Sequence, residues 1–201
     1  MTNEWMVTVL HADNGYRVHV YKMPPLQFDA TGHVQAITVL VLGAPRTNAH
    51  IKHVQWIHDR EPLEKHALAK AEERKLPRPF GEVLLHRPPS LPVDSTLLYE
   101  GLITNFFAVH RGILYTADSD VLLGSTRQLV IDACHRLGVQ LRLEPPRLED
   151  AATWDGAFVT SVVKLIVPID AIYTNDGPCT PLASTAWPLL DQLRDEIMMG
   201  V

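Results

Sequence analysis

Apolar and polar residues alternate along Met6–His11 (MVTVLH) and again along Tyr16–Tyr21 (YRVHVY), with Asp13-Asn14-Gly15 between them. That period-two pattern around a turn signal reads as a half-buried β-hairpin. A further apolar run, ITVLVLG from Ile37, follows a turn at Thr31-Gly32, and Pro24-Pro25 and Pro45 punctuate the pieces. The first 50 residues are therefore expected to form a small antiparallel sheet. From Asp59 to Lys75 the period changes: Leu63, Ala67, Leu68 and Ala71 fall on one face and opposite charges on the other, predicting a solvent-facing amphipathic helix. Gly81–Leu85 is a short strand candidate, and the segment holding Pro88, Pro89 and Pro92 is a loop. The run LLYEGLITNFFAV, from Leu97 to Val109, reads as one arm of a hairpin whose other arm is GILYT, with His110-Arg111 at the turn.

Helical spacing returns after Leu122-Leu123-Gly124, where Leu129, Val130, Ala133, Cys134 and Leu137 recur up to Gly138. VQLRLE is then expected as a strand, LEDAATW as a short helix, AFVTSVVKLIVPI as one long strand segment running to Pro168, and Ser184–Met198 as a final helix. Strands and helices interspersed in this way predict a mixed α/β (α+β) fold.

Composition narrows the classes. At 46% hydrophobic and 20% charged, the chain has the makeup of a globular protein rather than a disordered one. Glu4, His11, Asp13, Asn14 and Arg17 interrupt the N-terminal stretch before it reaches signal-peptide or membrane-spanning length, so no membrane partner and a cytoplasmic location are expected. The net charge of −5 is spread along the chain, its densest run being the mixed one from Arg60 to Arg78, and no basic face offers itself to nucleic acid. Cys134 and Cys179 have neither metal-ligand nor disulfide-framework spacing. His50, His53 and His58 mix strand and helix periods and have no completing ligands, so no metal is expected.

Four features bear on chemistry. Glu100 interrupts an apolar run, where a buried charge costs several kcal/mol unless a partner compensates it; the alternative is an edge-strand glutamate facing water. Gly101 beside it permits a close backbone approach. Ser125 and Thr126, directly after Gly124, read either as helix N-caps or as an anion site at the positive end of the helix dipole. Thr160 and Ser161 are strand residues or ligand donors, and Lys52, taken alone, reads as readily as a solvated surface lysine.

Four segments in this order, IKHVQW around Lys52, YEGLITNFF around Glu100, LLGSTR around Thr126 and FVTSVVKLIVPI around Thr160, resemble the fold-type IV pyridoxal-phosphate enzymes. That family includes branched-chain and D-amino-acid aminotransferases and aminodeoxychorismate lyase, and the resemblance spans about the last three quarters of the chain. It implies the family's large, cofactor-binding domain over 51–201, with residues 1–50 a remnant of the small domain. It implies pyridoxal 5'-phosphate as cofactor, with Lys52 as the Schiff-base and acid/base residue and Glu100 on the pyridine nitrogen. Gly124, Ser125 and Thr126 would form one phosphate turn, and Thr160 and Ser161 a second, in which Val162 stands where the family has a further threonine. The activity implied is amino-group transfer between an amino acid and a 2-oxo acid, in a homodimer. The alternatives are the lyase reaction and a noncatalytic homologue, the last because only 51 residues precede Lys52, too few for the family's whole small domain and its arginine-and-histidine helix segment.

Overall fold

The computed structural model describes residues 5–23, 25, 27–30, 32–90 and 94–199, in two compact units, Met1–Val34 and Gln35–Val201. Pro24, Thr31 and Pro92 lie outside the described residues, and with them parts of the expected proline break, turn and loop.

The smaller unit is built on strands β1 (Trp5–Ala12) and β2 (Gly15–Lys22), paired antiparallel around Asp13-Asn14, with Gly15 at a φ of 132°. The register puts Val7 opposite Val20 and Val9 opposite Val18, so these four share one face, as the alternation in sequence requires. All four are exposed within the chain.

The larger unit holds a mixed sheet of β3 (Ile37–Val41), β4 (Glu82–Arg87), β5 (Leu97–Gly101), β6 (Asn105–His110), β7 (Ile113–Tyr115), β8 (Leu141–Arg142), β9 (Gly156–Ser161), β10 (Leu165–Thr174) and β11 (Cys179–Pro181). The pairings β10–β3–β4–β5–β6–β9–β10 close into a ring of six strands, with β7 and β8 continuing from β6 and β11 from β10. Ring closure gives each of the six strands a partner on both sides, the β5–β6 seam consisting of the single pair Glu100 and Asn105. Helices α1 (Trp56–Asp59) and α2 (Glu61–Glu73) follow β3, α3 (Ser125–Leu137) follows β7, and α4 (Trp187–Met199) ends the unit. Residues 148–153 form a short 3-10 turn.

Four segments differ from the sequence expectation. The run ITVLV does not extend a small antiparallel sheet: β3 runs parallel between β10 and β4 in the large sheet, with Val39 and Leu40 fully buried. A continuous apolar run suits a strand covered on both faces. The stretch from Leu97 to Val109 is two strands, because the chain reverses at Leu102–Thr104. Glu82 holds that reversal, its carboxylate accepting from the Leu102 and Val83 amides at 3.1 and 2.9 Å and from Thr104 Oγ1 at 2.8 Å. A Cβ on Gly101 would fall 2.2 Å from Thr104 Oγ1, so only glycine admits the approach. The long strand expected through Pro168 is likewise a hairpin, β9 and β10, whose turn is fastened by the Lys164 amide donating to Ser161 Oγ. On α2, Ala67 and Ala71 are buried as expected, whereas Leu68 is exposed.

The main core lies between the sheet and helices α3 and α4, where Phe107 and Phe158 stack with ring centroids 4.8 Å apart against Val130, Leu190 and Leu193. All five of these side chains are essentially inaccessible. Phe158→Ala should cost about 3–5 kcal/mol of unfolding free energy, measured by chemical denaturation, since the barrel can collapse little around the lost ring. Glu82 offers a second check. Burial holds its carboxyl above the ordinary 4.5, against the hydrogen bonds that lower it. The folded state therefore keeps its proton to higher pH than the unfolded chain, and Glu82's contribution to stability falls as pH rises above about 4.5 and through the raised value. Thermal unfolding of wild type and Glu82→Gln across that window should show the wild type losing more stability with rising pH than the variant.

Candidate functional site

Sheet register assembles the site. Glu100 on β5 is the Cα partner of Asn105 on β6, and Asn105 is the partner of Thr160 on β9. Directly opposed residues present their side chains on the same face of a sheet, so Glu100, Asn105 and Thr160 form one row across three strands. All three are buried, at 2%, 6% and 2% exposure.

The segment leading into α3 is clasped onto this row. The Leu122 amide donates to Glu100 Oε2 at 2.8 Å, and Asn105 Nδ2 donates to the Leu122 carbonyl at 2.6 Å. Both backbone polar groups of one residue, Leu122, are thus gripped by two neighbouring side chains, which sets the position of Gly124. A Cβ there would lie 2.5 Å from Asn105 Oδ1, so the position requires glycine. Gly124 is itself the N-cap of α3, in an extended conformation with no side-chain capping bond. Ser125 and Thr126 are therefore the first two helical residues and not the caps; the first-turn amides have no partner within the helix, and the segment before them is tied to the row through Leu122. Thr160 Oγ1 is buried with no hydrogen-bond partner among the described residues. Ser161, by contrast, is taken up by the Lys164 amide, and Val162 is exposed.

The other oxygen of Glu100 is met by a residue that no sequence pattern marks out. Arg46 Nε donates to Glu100 Oε1 at 2.8 Å, in an ion pair whose side chains are 8% and 2% exposed. Burial raises the Glu100 carboxyl above its ordinary value, and the hydrogen bonds from Arg46 and Leu122, with the Arg46 charge, oppose that rise. Arg46 stands 54 positions before Glu100, and only the parallel placement of β3 beside β4 returns its loop to β5.

Lys52 is not at a strand end. It lies in the irregular segment between β3 and α1, well beyond Val41, with its side chain exposed and no hydrogen bond or ion pair to a described residue. The structure thus brings Glu100, Gly124 and Thr160 together around Asn105, with Ser125 and Thr126 at the adjoining helix terminus, and leaves Lys52 on a neighbouring loop. A cleft of about 340 Å³ separates that loop, at Asn48, Ala49 and His50, from Asp118, Asp120 and Val121. Among the described residues no His, Cys, Asp and Glu side chains are grouped so as to hold a metal ion, and no helix is long and apolar enough to cross a membrane.

Solved structures share this fold. The crystal structure of the Escherichia coli branched-chain amino acid aminotransferase superposes with a TM-score of 0.60 at 17% identity, covering 90% of this chain and 55% of that one. An aminotransferase from Brucella abortus, bound to the cofactor PLP, superposes with a TM-score of 0.66 at 17% identity, covering 92% and 59%. In sequence, the "Probable branched-chain-amino-acid aminotransferase" of Rickettsia conorii is 40% identical over 86 residues, 39% of this chain and 30% of the relative. That of Rickettsia felis is 37% identical over 91 residues, 41% of this chain and 31% of the relative. The chain spans under a third of the length of these curated relatives in the matched region. The family model for amino-transferase class IV matches residues 19–172, well over half the chain, and this protein belongs to that family.

Proposed function

We propose that this chain binds pyridoxal 5'-phosphate and acts in amino-group transfer between a branched-chain or similarly apolar amino acid and a 2-oxo acid. The observation that carries the reading is the buried row of Glu100, Asn105 and Thr160 with the uncapped terminus of α3 clasped beside it.

The residues fit the cofactor. Its phosphate is an anion, suited to the first-turn amides of Ser125, Thr126 and Arg127 and to the hydroxyl of Thr160, which has no partner among the described residues, and the glycine at 124 lets the helix terminus sit against Asn105. Its ring nitrogen, when protonated, is a cation suited to the Glu100 carboxylate. When bound, the cofactor supplies an electron sink for the pair left behind as the substrate loses its α-proton.

The protein's part is binding, orientation and proton movement. Glu100 would hold a proton on the ring nitrogen, and Arg46 and the Leu122 amide favour its ionised form against the cost of burial. Lys52 Nζ would be the amine that holds the cofactor aldehyde, condensing with loss of water, and as a free amine it would carry a proton from the substrate's α-carbon. Ile103, Leu123 and Val162 are exposed, and each stands within three residues of a member of the site. Apolar side chains so placed support a substrate with an apolar side chain. The branched-chain names of the sequence relatives support the same class.

Two measurements test the reading. After incubation with pyridoxal phosphate and reduction with borohydride, mass spectrometry should find one pyridoxyl group, on Lys52, and none in Lys52→Ala; labelling spread over several lysines would refute the assignment. Glu100→Gln should still bind cofactor and lose about 10- to 100-fold in turnover with leucine and 2-oxoglutarate, the worth of one hydrogen bond to a charged group. Bound cofactor without transfer in the wild type would instead favour a lyase or a noncatalytic role.

A further inference from the structure

The segment that carries Lys52 is neither helix nor strand from residue 42 to residue 55, yet both its flanks are fixed to β5 and the turn after it. On one flank, Arg46 donates from Nε to Glu100 Oε1 and from Nη2 to the Ala49 carbonyl at 2.9 Å. On the other, Trp56 Nε1 donates to the Leu102 carbonyl at 2.6 Å. The two anchors touch, the Arg46 guanidinium lying 5.2 Å from the centre of the Trp56 ring. Lys52 falls between them in sequence.

We propose that Arg46 is a positioning residue that fastens the Lys52 loop to the Glu100 carboxylate, with Trp56 closing the span from the other side. The inference rests on the reading of Lys52 and Glu100 given above. A buried arginine–carboxylate pair is a poor means of stabilising a fold, since apolar residues of the same volume commonly do as well or better. This pair does something an apolar pair would not. The guanidinium uses separate N–H groups on the strand and on its own loop and presents its face to α1, so the orientation of the loop is specified relative to the carboxylate. The arrangement also leaves Glu100 able to act: each oxygen has one donor, Arg46 on Oε1 and Leu122 on Oε2, and a carboxylate offers about four lone-pair sites, so a further donor can join without displacing either. Asn105 and Thr160, which share the face with Glu100, are neutral, so Arg46 is the cation that opposes the rise burial causes in its pKa.

Arg46→Met keeps the apolar stem and removes the charge and the fork; Arg46→Lys keeps the charge alone. In protein without cofactor, amide hydrogen exchange over residues 47–55 should quicken at least tenfold in Arg46→Met while β6 and β9 stay as protected as in wild type. Unchanged exchange over 47–55, or a uniform rise through the barrel, would overturn the anchor. In a titration with pyridoxal phosphate, Arg46→Met should bind at least tenfold more weakly at neutral pH. Its loss of affinity with falling pH should begin at higher pH, because burial then acts on Glu100 without the opposing cation, and Arg46→Lys should return that acid limb toward wild type. An acid limb in Arg46→Met superimposable on the wild-type one would overturn the electrostatic role. If wild type bound no pyridoxal phosphate, the cofactor reading would fall, and the exchange measurement would still decide whether Arg46 anchors the loop.

Discussion

A carboxylate buried at 2% exposure has to find its solvation within the protein, and the arrangement of the larger unit around Glu100 follows from that constraint. One oxygen takes Arg46, which fixes where the loop after β3 runs; the other takes the Leu122 amide, which fixes where the chain approaches α3. Remove either donor and the charge is left undercompensated in a closed barrel. The two segments that would otherwise be free to wander are therefore tied to the strand that bears the charge. Asn105 doubles the second tie by holding the Leu122 carbonyl, so the N-terminus of α3 is placed by side chains of the sheet and not by a cap of its own.

Glu82, on the strand beside β5, meets the same problem by a different solution. It is buried almost as fully as Glu100, but its donors are neutral: two backbone amides and the Thr104 hydroxyl, with no cation bonded to it among the described residues. Burial raises both carboxyls, and only at Glu100 does a full positive charge oppose the rise. The difference in partners matches a difference in task. Glu82 has to shape a turn, which either protonation state with its acceptor oxygens can do in part. Glu100, on the proposed reading, has to be an anion at neutral pH.

Much of this was legible in the chain, and what was not has a common cause. Local periodicity located α2, α3 and α4 and most strands, because amphipathic spacing is a property of neighbouring residues. Glu100 stood out because a charge in an apolar run demands a partner, and Gly124 because it precedes a helix. The reversals at Leu102–Thr104 and after Ser161 escaped, since they depend on Glu82, Gly101 and a serine hydroxyl acting through the fold, with no Asn-Gly or Pro signal between the strands. The first strand of the barrel was grouped with the hairpin before it because a parallel partner far along the chain leaves no trace in the strand's own sequence. Arg46 escaped for the same reason: its role is defined by a contact 54 residues away.

Among the described residues, polar groups beside the site are left unsatisfied: Thr160 keeps a buried hydroxyl without a partner, and α3 begins with amides that no side chain caps. A buried, unpaired polar group costs about 1–3 kcal/mol, and a fold selected for stability alone would remove it by the smallest available change, a valine at 160 or a capping serine or aspartate at 124. At 124 the second remedy is barred by Asn105, whose own bond to Leu122 maintains the site. The donors and hydroxyl beside α3 are suited to an anion and Glu100 to a cation, so a ligand carrying both charges on one rigid frame would recover the cost at each end at once. Its binding would then add directly to the stability of the barrel, because the groups it satisfies belong to the strands and helix that close it.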